Sequence, residues 1–129
     1  MTTEEVIGSL EYSCAVAGAK LVLVMGHTRC GAVSATVVWS RDSHKSEDQT
    51  ECEHLQGIVR EIQHSNEIAP QPEEDLAAVI DEVARRNVVR TVQRICEQSQ
   101  TLNRLKEEGR MIVVGAMYDV ATGTIEFLP

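Results

Sequence analysis

The feature that most constrains the fold is an apolar run at residues 20–25 that follows a helical segment almost directly. Thr2, with Glu5 three residues later, forms a capping-box start for that helix, and Gly18 is its natural end. Between them, apolar residues recur at the spacing of one helix face: Ile7, Leu10, Cys14 and Ala17. A helix joined this tightly to an apolar strand is typical of a parallel sheet covered by helices. The sequence therefore predicts an α/β protein.

Further elements follow at regular intervals. Helical spacing predicts helices over residues 32–39, 55–64, 73–98 and 101–108, and apolar runs predict strands over 111–118 and 124–128. The last two strands, joined by a turn at 119–123, form a predicted antiparallel hairpin at a sheet edge. We expect one domain over residues 1–129, a three-layer αβα arrangement around a mostly parallel sheet with an edge hairpin. Three strands are few for such a sheet.

Two segments interrupt these patterns. Residues 40–53 hold almost no apolar side chain and many charged ones, which predicts a solvated, mobile excursion. Asn87 interrupts the apolar stripe of the long helix. It is either a satisfied buried amide or a cap where the helix breaks, and we favour the break.

Composition and charge limit which partners and which cellular compartment we expect for the chain. The chain has 129 residues, is 43% hydrophobic, and carries a net charge of −8, which argues against binding the phosphate backbone of nucleic acids. The sequence shows neither a signal-peptide pattern nor an apolar stretch long enough to cross a bilayer, so we expect a cytoplasmic protein without a membrane segment. In that compartment, four widely spaced cysteines are reduced thiols or metal ligands rather than disulfides.

A candidate metal site follows the first strand. His27 and Cys30 lie three positions apart on a turn flanked by Gly26 and Gly31. Zinc accepts imidazole nitrogen and thiolate sulfur, and α/β folds place their sites at the carboxyl ends of strands. Spacing alone leaves a second interpretation open, a buried cysteine beside a surface histidine.

Longer strings resemble the β-class carbonic anhydrases. They are GSLEY at 8–12, GAKLVLVMGHTRCGAV at 18–33, NV at 87–88 with Val92, Gly109, IVVGAMYD at 112–119, TG at 122–123, and Phe127. The resemblance implies a zinc enzyme that interconverts carbon dioxide and bicarbonate. It also implies that His27 and Cys30 are two of three protein zinc ligands, and that the chain forms a homodimer or higher oligomer.

One family motif is missing. The family takes its remaining ligand from a Cys-x-Asp-x-Arg motif upstream of the GSLEY helix, and the aspartate and arginine form a catalytic dyad. Each cysteine here (Cys14, Cys30, Cys52, Cys96) lacks the aspartate two positions later and the arginine four positions later. We therefore assign no catalytic residue. The chain is expected to match the carboxyl-terminal part of the family, without its first two strands and with an unpaired edge on the strand at 20–25.

Three outcomes stay open for the metal. In the first, another chain completes the site, and in the second, substitute ligands from this chain complete it. In the third, the chain binds no metal and acts as an oligomerising, regulatory or anion-sensing module. The substitute ligands to consider are Cys14, His44, Cys52, His54, His64 and Cys96. Carbon disulfide or carbonyl sulfide is an alternative substrate, since related enzymes share the ligand pattern. Near the site, the resemblance implies that Tyr118 lines the pocket, although it could simply pack against its neighbours. Arg29 is a solvated residue, supports the site or lies at an interface.

Overall fold

The structure is a computed structural model, and it describes residues 2–41, 52, 54–65 and 75–129. Its helices are α1 (Glu4–Glu11), α2 (Gly31–Arg41), α3 (Leu55–Gln63), α4 (Leu76–Gln98) and α5 (Gln100–Glu107), and α1 continues into a π-helical turn, Tyr12–Val16. The strands are β1 (Leu21–His27), β2 (Ile112–Tyr118) and β3 (Ile125–Leu128). The predicted α/β class is confirmed.

The sheet has the order β1-β2-β3. Strand β2 pairs with β1 in parallel, with Leu21 opposite Ile112 and His27 opposite Tyr118. It pairs with β3 in antiparallel orientation, with Tyr118 opposite Ile125. The mostly parallel sheet and its edge hairpin are therefore confirmed. Among the described strands, β1 pairs on one side alone, as expected for an edge.

Helix α4 lies against one face of the sheet, on which two glycines allow a close approach. A Cβ atom built on Gly26 would lie 2.7 Å from Val88 Cγ2 and 2.8 Å from Met117 Sδ. A Cβ atom on Gly115 would lie 3.0 Å from Val88 Cγ1. All three distances are below ordinary van der Waals contact. The branched side chain of Val88 therefore fits only because these two strand positions carry no side chain.

Two apolar clusters form on this same face. The larger joins α2, α3 and α4 to the sheet through Val33, Val37, Ile62, Ile80, Val83, Ala84, Val88, Met117 and Leu128. The second joins α1, the π-helical turn and α5 to the sheet through Ile7, Cys14, Val22, Ile95, Leu102, Leu105 and Met111. Val24 packs against both clusters, so the aliphatic core is continuous beneath β1. We call this side of the sheet the covered face.

The opposite side of the sheet carries large exposed apolar side chains. We call it the open face, and its large residues are Leu21, Leu23, Met25, Ile112, Ile125 and Phe127, with 43% to 65% of each exposed. They alternate along the strands with residues of the covered face, as side chains of a pleated sheet must. Of the predicted αβα layers, the described residues supply the sheet and the helical layer on the covered face.

Details at the helix ends and in α4 correct the sequence predictions. The residue that caps α1 is Thr3, one position later than the predicted Thr2. Helix α4 runs without a break through Asn87, so the favoured break is wrong. The amide oxygen of Asn87 accepts a hydrogen bond from Ser65 Oγ at 3.3 Å, which satisfies the polar group within the helix.

Other boundaries shift by a few residues. Strand β1 continues two residues beyond the predicted end, to His27, because its pairing with β2 continues to Tyr118. Ser40 and Arg41, predicted to begin the excursion over 40–53, form the last turn of α2. Residues 42–51 and 53 of that excursion lie outside the described residues. Across the described ranges, none of the helices is long and apolar enough to cross a membrane.

Candidate metal site

The turn between β1 and α2 is held by hydrogen bonds to three other elements. The backbone N–H of Thr28 donates to the carbonyl oxygen of Tyr118 at 2.9 Å, and Thr28 Oγ1 accepts from the backbone N–H of Val120 at 3.1 Å. The backbone N–H of Arg29 donates to Asp81 Oδ1 on α4 at 3.1 Å. The position of the two candidate ligands is thus fixed by the end of β2, the β2–β3 loop and α4.

His27 ends β1 on the side of the open face. Its imidazole is exposed, and Nδ1 lies 3.0 Å from the carbonyl oxygen of Thr28. When Nδ1 carries the proton it donates to that carbonyl, and Nε2 then keeps its lone pair. A histidine that ligates zinc commonly has its second ring nitrogen held by a backbone carbonyl in this way. The ring of His27 therefore suits a metal ligand bound through Nε2.

Cys30 lies on the other side of the turn. It is a free, half-buried thiol that packs against the larger apolar cluster of the covered face. Its carbonyl oxygen accepts hydrogen bonds from the backbone N–H and the hydroxyl of Ser34, each at 2.9 Å, at the start of α2. Cys30 is therefore anchored immediately before the first turn of α2.

Arg29 links the two ligand positions through an unusual backbone conformation. It is the one residue other than glycine with a positive φ in the described chain, at 56°. This left-handed conformation is unfavourable for a residue with a Cβ atom. It carries the chain from His27, beside the open face, to Cys30, which packs on the side of the covered face.

Asp119 stands next to the turn at the carboxyl end of β2. Backbone N–H groups of Ala121 and Thr122 donate to its Oδ1 at 2.8 and 3.2 Å. These hydrogen bonds, with a smaller contribution from the charge of Arg29, hold the pKa of Asp119 below its usual value. Tyr118 precedes it and lies opposite His27 in the register, and its hydroxyl reaches towards Gly123.

A cleft of 460 Å³ opens beside the turn, between α4 and the β2–β3 loop. Its lining includes Thr28, Asp81, Arg85, Asp119 and Glu126. The guanidinium of Arg85 donates to both carboxylate oxygens of Glu126, at 2.9 and 2.7 Å. Neither His27 nor Cys30 lines this cleft. It is therefore a neighbour of the candidate metal site and not the site itself.

The other candidate ligands lie elsewhere in the fold. Cys14 is buried in the second apolar cluster, where burial raises the pKa of its thiol. Cys96 is half-buried on α4, whereas Cys52, His54 and His64 are exposed. His44 lies outside the described residues. Within residues 2–41, 52, 54–65 and 75–129, no three His, Cys, Asp or Glu side chains are grouped so that they could hold a metal ion.

Sequence reasoning missed the residues that hold the turn. Asp81 is 52 positions from Arg29, and Val120 is 92 positions from Thr28. No local sequence pattern predicts such pairs. A carboxylate on the polar face of a helix, such as Asp81, is common and does not indicate a distant partner. Only the resemblance of residues 112–119 to the family could have drawn attention to Asp119.

Comparison with known proteins gives the family. The family model described as "Carbonic anhydrase" matches residues 1–125. This chain belongs to the carbonic anhydrase family. It is 31% identical over 121 residues to a carbonic anhydrase of Mycolicibacterium smegmatis, a match that covers 94% of this chain and 55% of that protein. It is 28% identical over 121 residues to carbonic anhydrase 2 of Mycobacterium tuberculosis, covering 92% and 53%.

Solved structures of β-carbonic anhydrases share the fold. The enzyme CafA of Aspergillus fumigatus matches with a TM-score of 0.73 and 23% identity, over 96% of this chain and 54% of that one. The Coccomyxa enzyme, solved in complex with acetazolamide, matches with a TM-score of 0.74 and 22% identity, over 95% and 53%. The chain therefore has the β-class fold, and it spans about half the length of the relatives that it matches.

Proposed function

We propose that this chain supplies His27 and Cys30 as zinc ligands for the reversible hydration of carbon dioxide to bicarbonate. The observation that carries the proposal is the geometry of His27, whose Nδ1 lies 3.0 Å from the Thr28 carbonyl oxygen so that Nε2 is left for a metal. Family membership, with 31% identity to the Mycolicibacterium enzyme, supports the reaction class.

The residues of the turn have distinct parts in this proposal. Zinc, when bound, acts as a Lewis acid and lowers the pKa of water so that hydroxide is available to attack carbon dioxide near neutral pH. His27 would present Nε2, and Cys30 would present its thiolate from the position just before α2. The hydrogen bonds of Thr28 and Arg29 to β2 and α4 keep the two donors in position without contacting the metal.

Two protein ligands fit only part of a zinc site. Zinc in proteins is held by three or four protein ligands in tetrahedral geometry, and the described residues offer no group of three. A further ligand has to come from outside the described residues or from another chain. We therefore expect little or no carbon dioxide hydration from this chain by itself.

One structural relative of this chain forms an oligomer. Two β-carbonic anhydrases of Sordaria macrospora are tetrameric, and one of these matches this chain with a TM-score of 0.71. At 17% identity this match shows the shared fold alone. Assembly, cytoplasmic location and the substrate pair of carbon dioxide and bicarbonate are part of the proposal.

Metal affinity tests the ligand assignment without requiring activity. The purified chain would be titrated with Zn²⁺ against a chromophoric chelator, and with Co²⁺, whose thiolate charge-transfer absorption reports a bound cysteine. We expect His27→Ala and Cys30→Ser to weaken zinc binding by at least about 100-fold, more than the loss typical of a supporting residue. Cys30→Ser should also remove the Co²⁺–thiolate absorption.

Matched controls show whether the effect is specific to the turn. Cys96→Ser removes another half-buried thiol, and His64→Ala removes another exposed imidazole. Both should leave the zinc affinity unchanged. Equal losses in the control and turn variants would contradict the assignment. No zinc binding by the wild-type chain would favour the non-catalytic module, for which the absence of a three-ligand group in the described residues is the supporting observation.

Hydration kinetics test the activity separately. A stopped-flow pH-indicator assay of the zinc-loaded chain should show little acceleration over the buffer. Acceleration that disappears in Cys30→Ser would show that the ligand set is complete in this chain, and would overturn that expectation.

A further inference from the structure

The backbone of the turn that carries His27 and Cys30 is hydrogen-bonded to a side chain of α4. Oδ1 of Asp81 accepts a hydrogen bond from the backbone N–H of Arg29 at 3.1 Å. Arg29 lies between the two candidate ligands, two positions after His27 and immediately before Cys30. The carboxylate of Asp81 therefore acts on the segment of backbone that joins the two ligands.

Arg29 also has the backbone conformation in this turn that most needs support. Its φ of 56° lies in the left-handed region, and the other positive φ values in the described chain belong to Gly18, Gly109 and Gly123. A residue with a Cβ atom stays in this conformation only where surrounding contacts hold it there. Because the hydrogen bond to Asp81 fixes the direction of the Arg29 N–H, it favours the left-handed conformation over one that turns this N–H elsewhere.

Packing of α4 on β1 determines where the carboxylate of Asp81 lies. Ala84 and Val88 follow Asp81 by three and seven positions, so the three residues lie along one stripe of the helix. A Cβ atom built on Gly26 would lie 2.7 Å from Val88 Cγ2 and 3.7 Å from the carbonyl oxygen of Ala84. The stripe therefore runs beside the end of β1, and its next residue towards the start of α4 reaches the turn.

The hydrogen bond to Asp81 differs from the two that hold Thr28. The N–H of Thr28 donates to the carbonyl oxygen of Tyr118, and its hydroxyl accepts from the N–H of Val120. Both partners are backbone groups, which do not depend on the side chains at positions 118 and 120. The acceptor for Arg29 is a side-chain oxygen, so the residue type at position 81 decides whether this hydrogen bond forms.

We propose that Asp81 is a positioning residue for the metal ligands: its carboxylate holds Arg29 in the left-handed conformation that directs His27 and Cys30 to one metal ion. This role rests on the proposed function, because it concerns the same two ligands. Asp81 acts through the backbone of Arg29 and is not itself a ligand. Groups that support a zinc ligand in this way typically contribute about 10- to 100-fold to metal affinity.

Zinc affinity and the Co²⁺ absorption spectrum of two variants at position 81 test the proposal. Asp81→Ala removes the acceptor, so it should weaken zinc binding roughly 10- to 100-fold and reduce the Co²⁺–thiolate absorption. Asp81→Asn removes the charge but keeps an oxygen acceptor, so it should bind zinc nearly as tightly as the wild type and restore the spectrum. Alanine is the better helix former at this half-buried position of α4, and circular dichroism checks that both variants fold.

Glu82→Ala is the matched control for Asp81→Ala. Glu82 is the next residue of α4 and lines the same cleft, but its carboxylate accepts from Nε of Arg86 at 2.7 Å. Removing this charge should leave the zinc affinity and the Co²⁺ spectrum unchanged. A loss equal to that of Asp81→Ala would attribute the effect to the negative charge of the cleft and would overturn the proposal.

Hydrogen exchange of the Arg29 amide, followed by NMR spectroscopy, tests the same contact in the metal-free chain. The amide should exchange faster in Asp81→Ala than in the wild type, because its N–H has lost its acceptor. Asp81→Asn should retain the slower rate, and the amides of β2 should exchange equally in all three proteins. An Arg29 amide that exchanges at one rate in all three would contradict the proposed role.

Failure of this role can be distinguished from failure of the proposed function. A wild-type chain that binds no zinc would refute the proposed function and this role with it. Zinc binding that Cys30→Ser weakens and Asp81→Ala does not would leave the ligand assignment intact and refute the role of Asp81 alone. Equal losses in Asp81→Asn and Asp81→Ala would also refute it, because the charge and not the hydrogen bond would then account for the effect.

Discussion

The two faces of the sheet use the same three strands in different ways. On the covered face, Gly26 and Gly115 let Val88 of α4 approach the backbone, and beneath the helices Val22 is buried and Val24 partly buried. On the open face, leucine, isoleucine and phenylalanine are about half exposed. The difference shows that burial here depends on which helices are present and not on how apolar the strand is.

The turn between β1 and α2, which carries both candidate ligands, joins the two faces of the sheet. His27 is the last residue of β1 in the alternation that forms the open face, whereas Cys30 packs against the cluster of the covered face. The left-handed Arg29 lies between them. A metal site at this turn would depend on the packing of α4 on one side and on whatever lies against the open face on the other.

Gly26→Ala tests the close contact on the covered face and should give the largest loss of stability of the substitutions proposed here. The added Cβ would lie 2.7 Å from the stiff side chain of Val88, and overpacking of this kind costs about 1 to 3 kcal/mol. Chemical denaturation measures the change in the free energy of unfolding. Val88→Ala in the same chain should recover part of the loss by removing the clashing methyl group.

Gly57→Ala is the matched control for that substitution. Gly57 lies in α3, and a Cβ atom there would have nothing within 4 Å. The same change should stabilise the chain by roughly 0.5 to 1 kcal/mol, because alanine is the better helix former. A Gly26→Ala protein as stable as the wild type would show that α4 does not approach β1 as closely as described.

Val22→Ala and Leu23→Ala compare the two faces at adjacent residues of β1. Val22 is 7% exposed on the covered face, and its truncation should cost about 2 kcal/mol. Leu23 is 43% exposed on the open face, and its larger truncation should cost less than about 1 kcal/mol in the monomer. Denaturant titrations at low protein concentration measure both.

Repeating the two denaturant titrations at several protein concentrations tests whether a second copy covers the open face. If a second copy covers the open face, the cost of Leu23→Ala should rise with protein concentration while the cost of Val22→Ala stays constant. Equal costs for the two variants at low concentration would mean that both faces are covered within one chain.

The sequence predicted the strands well and the open face not at all. A continuous apolar run such as LVLVM in β1 is typical of a strand buried on both faces, so nothing in it marked Leu21, Leu23 and Met25 as exposed. Which face a helix covers depends on the path of the chain between elements, and that path is set by long-range packing.

In the candidate site, the sequence predicted the residues that lie close together along the chain but not the contacts between distant residues. His27 and Cys30 share one turn, so their proximity in sequence was visible, and the resemblance supplied their role. The hydrogen bond from Arg29 to Asp81 connects residues 52 apart, and the one from Ser65 to Asn87 connects residues 22 apart. The first contact holds the turn and the second satisfies the Asn87 amide within α4, and neither leaves a local pattern in the sequence.

Arg29→Gly tests the strain at the turn between the two faces. Glycine adopts a φ of 56° at little steric cost, so we expect a gain of about 0.5 to 1 kcal/mol in the free energy of unfolding. Arg29→Ala is the control, because it removes the guanidinium but keeps the Cβ atom, and it should give no such gain. A similar gain in both variants would attribute the effect to the charge of Arg29 instead of its backbone.

The ion pair between α4 and the edge strand should give the smallest effect. Arg85 lowers the pKa of Glu126 through two hydrogen bonds, so the folded state holds that carboxyl ionised to lower pH than the unfolded chain does. The stabilisation is therefore present above the unfolded pKa, near 4.5, and is lost as the pH falls through the folded pKa. Because both side chains are exposed to solvent, the effect should be modest and should weaken with added salt.

A double-mutant cycle isolates this pair from other carboxyl groups, among them Asp119, whose pKa is also lowered. Glu126→Gln and Arg85→Gln should each reduce the loss of stability between pH 5 and pH 3, taken as roughly the range over which a paired carboxyl titrates. The pH-dependent part of the free energy of unfolding should be reduced no further in the double variant than in either single variant. Additive losses would show that the two side chains act independently.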